Sequence, residues 1–576
     1  MRSPYKSLIL LLMAGVVLCG AKAGAAPLRP VHAPHAMVAS VHELASQAGV
    51  EIMQAGGNAV DAAVAVGFAL AVVHPQAGNL GGGGFMLIRT ADGTNHFIDY
   101  REKAPAAATA NMYLDAQGNV IPGASTLGYR AIGVPGSVAG MVYAEKKYGK
   151  LTLQQVIAPA IRLARDGYAL AYEDANDLRD EDLSKFADSK RIFQRNGDYY
   201  RPGEVLRQPE LARTLERIAK NPEDFYRGEM AKELAGAVQR GGGLITADDL
   251  AHYEVKEREA IRGTYRGYDI ISAPPPSSGG AALVEILNIL EGYDLARLGN
   301  RSAASMHLTA EAFRRAFYDR AEFMGDPDFA KIPVAQLIDK KYGAAWRETI
   351  DLEHASASKD LKRPAIFTEL EQVAAVHPWS GREPENTTHY SVMDAAGEAV
   401  AVTTTLNGGF GAHVTAEGLG FLLNNEMDDF SSKPGAPNMY GLIQGPANAI
   451  GPGKRPLSAM TPTIVSKDGK VFLILGSPGG PTIITTVANI LMGVVDYGLD
   501  IQEAVNAPRY HHQWIPDAIM LEDRISPDTV GLLKNRGHAI RTHHFWGDGE
   551  CIMVDPKTGE RLGASDGRNN GKAVGY

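Results

Sequence analysis

Hydrophobic and polar residues follow two periods along this chain, and each period predicts a set of elements. Ala59–Val73 is apolar at nearly every position and rich in alanine, which predicts a helix buried on all sides. Gly57-Asn58 precedes it and His74-Pro75 ends it. Leu153–Asp166 carries a single apolar stripe, with Val156, Ile157, Ala160, Ile161 and Ala164 at helical spacing. An apolar helix is expected over 281–290, an amphipathic one over 302–320, and a turn with a capped helix start inside 241–250. Residues 173–204 are heavily charged and read as a solvated helical face. Strand-prone runs occupy 85–88, 387–393 and 399–407. The chain has no repeat of fixed period, which argues against solenoids and propellers.

Between 353 and 386 the pattern lapses, and small, polar and turn-forming residues predict a mobile linker. The chain then becomes strand-rich at once. With turn chemistry at 394–398, a hairpin centred on Ala396 sets Thr405 opposite Thr387. Asn407 is expected two residues further along the same face. A slip of one residue would spoil this arrangement.

A threonine that becomes a chain N-terminus supplies two reactive groups. Its Oγ is a nucleophile, and its α-amine, with a reference pKa of about 7.7–8.0, is a base poised near neutral pH. Inside a chain that nitrogen is an amide and cannot act as a base. Cleavage between Asn386 and Thr387 would therefore switch the site on. Attack of Thr387 Oγ on the Asn386 carbonyl, an N-to-O acyl shift and ester hydrolysis would release the new terminus.

Composition narrows the class. Of 576 residues 45% are hydrophobic and 21% charged, which excludes a disordered chain, a collagen or a coiled coil. The 63 glycines are an excess over the usual share of about 7%. Four of them, Gly81 to Gly84, lie beside a helix, yet no G-x-x-x-x-G-K-[ST] pattern accompanies them and the helix precedes them. Close backbone packing is the better reading.

Residues 1–26 read as an export signal: Arg2 and Lys6, then an apolar run from Leu8 to Cys19, then small-residue cleavage sites at 21–25. The run is shorter than the ~20 residues that span a bilayer. Cys19 follows a leucine, which does not suit lipoprotein processing. Removing 1–26 takes away Arg2, Lys6 and Lys22, so the net charge of −9 moves three units further negative. An acidic exported chain is a poor partner for nucleic acid or for an anionic membrane. Only Cys551 would remain, so no intramolecular disulfide is expected. Nor does a second apolar stretch offer stable membrane insertion. His511-His512 and His543-His544 lack metal-ligand spacing and read as surface or packing residues, so neither a metal nor another cofactor is implied. The expected location is the periplasm of a bacterium, or the medium outside it.

Several segments together strongly resemble the γ-glutamyltranspeptidases, members of the N-terminal nucleophile hydrolases. They are TTHYS at 387–391, HPQAGNLGGGGF at 74–85, PPPSSGG at 274–280, LNNEMDDF at 423–430, KRPLS at 454–458 and GSPGG at 476–480. The resemblance implies an α+β fold, a four-layer αββα sandwich formed by two chains from one precursor. The large chain would be 27–386 and the small chain 387–576, paired as a heterodimer after autocatalytic cleavage at Asn386-Thr387. The implied activity is that of a γ-glutamyltransferase and glutathione hydrolase. It would take glutathione or another γ-glutamyl donor and pass the acyl group to water or to an amino acid or dipeptide.

The resemblance also assigns roles. Thr387 is the nucleophile and Thr405 positions it, while the amides of Gly479 and Gly480 receive the oxyanion, where a side chain would obstruct. Arg101 and Ser458 match positions that bind the donor's α-carboxylate, and Asn407, Glu426 and Asp429 match those that bind its α-ammonium. Residues 434–445, with Tyr440, resemble a lid over the glutamyl pocket. Two positions depart from the family pattern: Ala459 and Pro481 stand where serines are common. Two other readings compete. One is a glutaryl or cephalosporin acylase on the same scaffold, and the other is a non-catalytic exported solute-binding protein.

Overall fold

Two seven-stranded antiparallel sheets form the centre of the computed structural model, which describes residues 29–366, 387–433 and 435–576. From edge to edge the first sheet runs Lys572–Gly575, Met37–Ser40, Thr387–Met393, Ala399–Thr405, Gly83–Arg89, Asn95–Asp99, Lys256–Arg258. The second runs Val31–Ala33, Arg561–Ala564, Cys551–Val554, Lys470–Leu475, Thr463–Lys467, Tyr268–Ser272, Ile261–Tyr265. Both sheets interleave strands from before and after position 386. The export signal, Asn386 and Pro434 lie outside the described residues.

Strand alternation sorts the side chains into layers. On the hairpin, Tyr390, Val392, Val400 and Val402 join an apolar cluster with helices Glu43–Gln54, Ala59–Val73, Ser137–Tyr148 and Leu153–Asp166. Met393, Ala399 and Ala401 point the other way and meet Ile271, Ile464, Ile474 and Ile552 of the facing sheet. Helices Gly279–Leu290, Ala303–Phe323 and Thr482–Val495 cover that sheet's outer face. The order is helix, sheet, sheet, helix: the four-layer αββα sandwich expected from the sequence. Each fully buried Val, Leu, Ile or Phe contributes roughly 1.5–3 kcal/mol.

Ala59–Val73 is buried along its whole length, as its composition predicts. Asn58 caps it by accepting from Asp61 N at 3.0 Å, and Asp61 returns the bond to Asn58 N at 2.7 Å. Thr246 caps Ala247–Ala251 in the same reciprocal way.

Three expectations are corrected. Residues 173–204 form short pieces, among them Tyr172–Asp177 and Ala187–Phe193, and they bury Leu178, Leu183 and Phe193. Charge count concealed those anchors. The helix expected at 302–320 is Ala303–Phe323, and it is buried on nearly every side, its charged residues included. The part of the linker that is described, 353–366, is tied down: Ser358 N donates to Asp517 at 2.8 Å, and Arg363 pairs with Asp319 and Glu322. Residues 367–386 lie outside the described residues.

Candidate active site

The hairpin has the register that the sequence predicts, with Thr387 opposite Thr405 and His389 opposite Thr403. These four share the face toward the second sheet. Thr387 Oγ1 lies 3.1 Å from Thr405 Oγ1, and Thr405 Oγ1 accepts from Asn407 N at 2.8 Å. Asn407 itself does not continue the strand face. The strand ends at Thr405 and Asn407 takes φ 76°, so its amide turns aside to donate to Asn425 O at 3.0 Å.

The glycine run supports this hairpin from its neighbouring strand. A Cβ on Gly82 would lie 2.0 Å from Thr405 O, so only glycine lets the two backbones approach. Thr405 O also accepts from Asn79 Nδ2 at 2.9 Å, while Asn79 Oδ1 holds Gly82 N at 2.9 Å. Asn79, which sits inside the HPQAGNLGGGGF motif without having been assigned a role there, thus ties the end of the hairpin to the glycine run. His389, deeper on the same face, is bonded to Thr403 Oγ1 at 2.9 Å. Burial drives its pKa down to about 3, so it is neutral.

Arg101 follows the strand Asn95–Asp99, and its N–H donates to Asp99 at 2.9 Å. Its guanidinium meets Glu426 at 2.5 Å, Asp429 closer still, and Glu102 at 3.6 Å. Nε donates to Pro456 O at 3.2 Å. Asp429 is fixed from behind, its carbonyl accepting from Asn448 Nδ2 at 2.7 Å and Gln444 Nε2 at 3.1 Å. Ser458 Oγ accepts from Met460 N at 3.0 Å, and Ala459 stands beside it on the cavity wall.

Gly479 and Gly480 have φ 128° and 52°, and helix Thr482–Val495 begins just beyond them. Pro481, with φ −63°, sits where the helix is entered, a place that suits proline. Amides at such a helix N-terminus carry partial positive charge toward an anion. The Tyr440 ring lies across Gly480, where a Cβ would come within 2.7 Å of it. Tyr440 OH donates to Asn407 O at 2.7 Å.

These groups enclose one cavity, of about 20 Å³, lined by Arg101, Thr387, Thr405, Asn407, Glu426, Asp429, Tyr440, Ser458, Ala459 and Gly480. Gly479 precedes Gly480 on the same turn but is not part of the lining. Arg320 also lines it, and the sequence reading did not single it out. A volume of this size holds about one water.

Residues 45–576 of the chain match the family Gamma-glutamyltranspeptidase. The chain belongs to this γ-glutamyltranspeptidase family. It is 50% identical to a glutathione hydrolase proenzyme of Pseudomonas sp. strain A14, over 96% of this chain and 96% of that one. A glutathione hydrolase proenzyme of Escherichia coli K12 is also 50% identical, over 94% and 91%. In structure the chain resembles a cephalosporin acylase from Bacillus halodurans, at 28% identity and TM-score 0.80, over 97% and 99%. No helix among the described residues is long and apolar enough to cross a membrane.

In this γ-glutamyltranspeptidase-family chain, burial shifts the titration of carboxylates in and beside the cavity. Burial pushes Glu102 up to about 7 against the pull of Arg101. Burial, then repulsion from Glu102 and Asp429, raises Glu426 well above the usual range, although Arg101 opposes this. Asp428, held by Ser125 Oγ at 2.6 Å, is raised by burial to about 6. Burial works against the Arg101 charge, but the three carboxylates around it raise its pKa.

Metal-type donors converge elsewhere. His307, Glu311 and His538 form one such group, and Asp180, Asp182 and His413 another. In the first, Arg314 and Arg315 already neutralise Glu311, and His307 Nδ1 lies 2.7 Å from His538 Nε2, a direct hydrogen bond. Neither group lines the Thr387 cavity. His511 and His512 are buried, not surface residues: His511 bonds to Thr485 and Gln513, and His512 accepts from Trp514 N. His543 and His544 are exposed.

Proposed function

We propose that this chain is a proenzyme that cuts itself between Asn386 and Thr387 and then acts as a γ-glutamyltransferase and glutathione hydrolase. The observation that carries this is the Thr387–Thr405 hydroxyl pair at 3.1 Å, set at the start of a central strand and opening into the Arg101–Asp429 cavity. The freed amine of Thr387 takes the Oγ proton as Oγ attacks the donor's γ-amide carbon. Negative charge develops on the carbonyl oxygen, where the amides of Gly479 and Gly480 stabilise it; one such donor is worth about 3–4 kcal/mol. The C–N bond breaks, the amine base returns the proton to the leaving nitrogen, and a γ-glutamyl ester remains on Thr387. Water or an amino-acid or dipeptide amine then attacks that ester.

In this reading 1–26 is removed on export to the periplasm or medium, and 27–386 and 387–576 stay paired as a heterodimer. Donor zwitterions are bound by Arg101 and Ser458 at one end and by Asn407, Glu426 and Asp429 at the other, under the lid with Tyr440. N-terminal sequencing of the smaller chain should read Thr387, and Thr387→Ala should remain a single chain without turnover. Wild-type protein that is active yet uncut would sink the mechanism. The likeness to a cephalosporin acylase supports a second reading. Parallel assays with a γ-glutamyl anilide and a glutaryl β-lactam separate the two, and turnover of the anilide is expected.

A further inference from the structure

Six arginines are almost completely buried among the largest side chains of the described core. Arg101, Arg314, Arg315, Arg455 and Arg509 each have a carboxylate within 4.0 Å. Arg320 has none among the described residues, and it is the one of the six that shares the Thr387 cavity with Arg101. Its Nε donates to Ser278 Oγ at 2.9 Å. Ser278 in turn donates through Oγ, at 2.7 Å, and N, at 2.9 Å, to the carbonyl of Ser458. Nη1 of Arg320 is buried and has no hydrogen-bond partner among the described residues.

A buried guanidinium N–H without an acceptor is costly and rare, and calls for an explanation. Arg101 cannot serve an incoming anion without giving up carboxylates, since Glu426 and Asp429 already hold it. Arg320 has a donor to spare. Burial lowers its pKa to about 10, with Asp429 opposing the fall, so the side chain stays charged at neutral pH. On the same wall Ala459 offers no hydroxyl.

We propose that Arg320 is a second carboxylate-recognising residue: its guanidinium meets the α-carboxylate of the γ-glutamyl donor, while its Nε, through Ser278, holds the Ser458–Ala459 wall. This rests on the donor occupying the Thr387 cavity as proposed above. Arg320 thereby contributes the cation that Arg101, shared among three carboxylates, supplies only in part.

The test uses processed enzyme and two anilide donors: γ-glutamyl anilide, whose only carboxylate is the α-carboxylate, and its analogue with an α-carboxamide. Arg320→Gln is expected to lower kcat/KM for the carboxylate donor about 10- to 100-fold, mainly through KM. The carboxamide donor should change little, so the preference for carboxylate falls by the same factor. Equal losses on both donors would mean a structural role only and would overturn the proposal. Should Arg320→Gln stay uncut, Arg320→Lys decides: it keeps the charge but loses the fork, and a preference reduced at least threefold is expected, whereas an unchanged one refutes the idea. Wild-type enzyme inactive on the carboxylate donor would fault the Thr387 reading instead, so the two failures are distinct.

Discussion

Arg101 and Asp429 hold each other directly in the cavity wall, although the family resemblance places them at opposite ends of one substrate. With Glu426 at 2.5 Å on the same guanidinium, the protein keeps an internal salt bridge where a zwitterion has to fit. On the proposed function, entry of a γ-glutamyl group would be an exchange of partners. Its carboxylate would take over the arginine as its ammonium takes over the carboxylates. Exchange of this kind avoids leaving a buried charge uncompensated, the costly event in such sites.

Asp429→Ala should weaken donor binding sharply, with kcat/KM down at least 100-fold. It should cost only about 1–3 kcal/mol of stability, because Glu426 still faces Arg101. Donor kinetics and thermal unfolding of the same preparation check both numbers. An unchanged donor KM would falsify the exchange.

Glu102 sets a pH dependence. Burial raises its folded value to about 7, above the unfolded value of about 4.3. A proton is therefore held more tightly by the folded state, and the stability this gives is complete below the unfolded value and lost as pH rises. The Glu102 contribution to wild-type stability should decline between about pH 4.5 and 7, by a few kcal/mol at most. Glu102→Gln should flatten that limb. Tm measured across this range decides, and parallel curves for the two proteins would count against the assignment.

Thr405→Ala removes the hydroxyl 3.1 Å from Thr387 Oγ and the acceptor for Asn407 N. A fall in kcat of roughly 10- to 100-fold is expected, in keeping with the loss of a group that positions a nucleophile. Thr405→Ser, which keeps the oxygen, should restore most of it. Failure of serine to rescue would point to the methyl group as the important part.

Gly480→Ala puts a methyl 2.7 Å from the Tyr440 ring at a backbone φ of 52°. The backbone strain alone costs about 1–2 kcal/mol, and the ring must shift. Turnover should drop more than tenfold, with Tm lowered by several degrees. An active, equally stable variant would show that Tyr440 does not need to lie across this turn.

Ala459→Ser restores a hydroxyl on the cavity wall. Donor KM should fall two- to tenfold with kcat little changed. The same KM in both enzymes would mean that the serine commonly found here binds nothing that this chain lacks.

Much of this was legible in the sequence because periodicity reports on burial and register. Alternation and a five-residue turn placed Thr405 opposite Thr387, and the alanine-rich run at Ala59–Val73 announced a helix with no exposed face. Arg320 was not legible. It sits among Glu311, Arg314, Arg315 and Asp319 on a helix buried nearly all round, so no polar stripe marks which charge faces a cavity. The Arg101–Asp429 pair joins residues more than three hundred positions apart, and only the sheet order brings them together. Asn407 leaves the expected face because a period of two says nothing about where a strand stops: the strand ends at Thr405 and Asn407 is left-handed.

The interleaving of both sheets has one more consequence. Thr387–Met393 is flanked by Met37–Ser40 on one side and Ala399–Thr405 on the other, and Thr463–Lys467 by Tyr268–Ser272 and Lys470–Leu475. A break in the chain after position 386 severs a covalent link but none of these ladders. On the proposed cleavage, the two pieces would be one folding unit with four ends, and separating them would mean breaking both sheets. Dilution should leave the pair intact far below any ordinary dissociation constant, and two separately synthesised pieces would meet each other as partly folded chains, never as finished subunits.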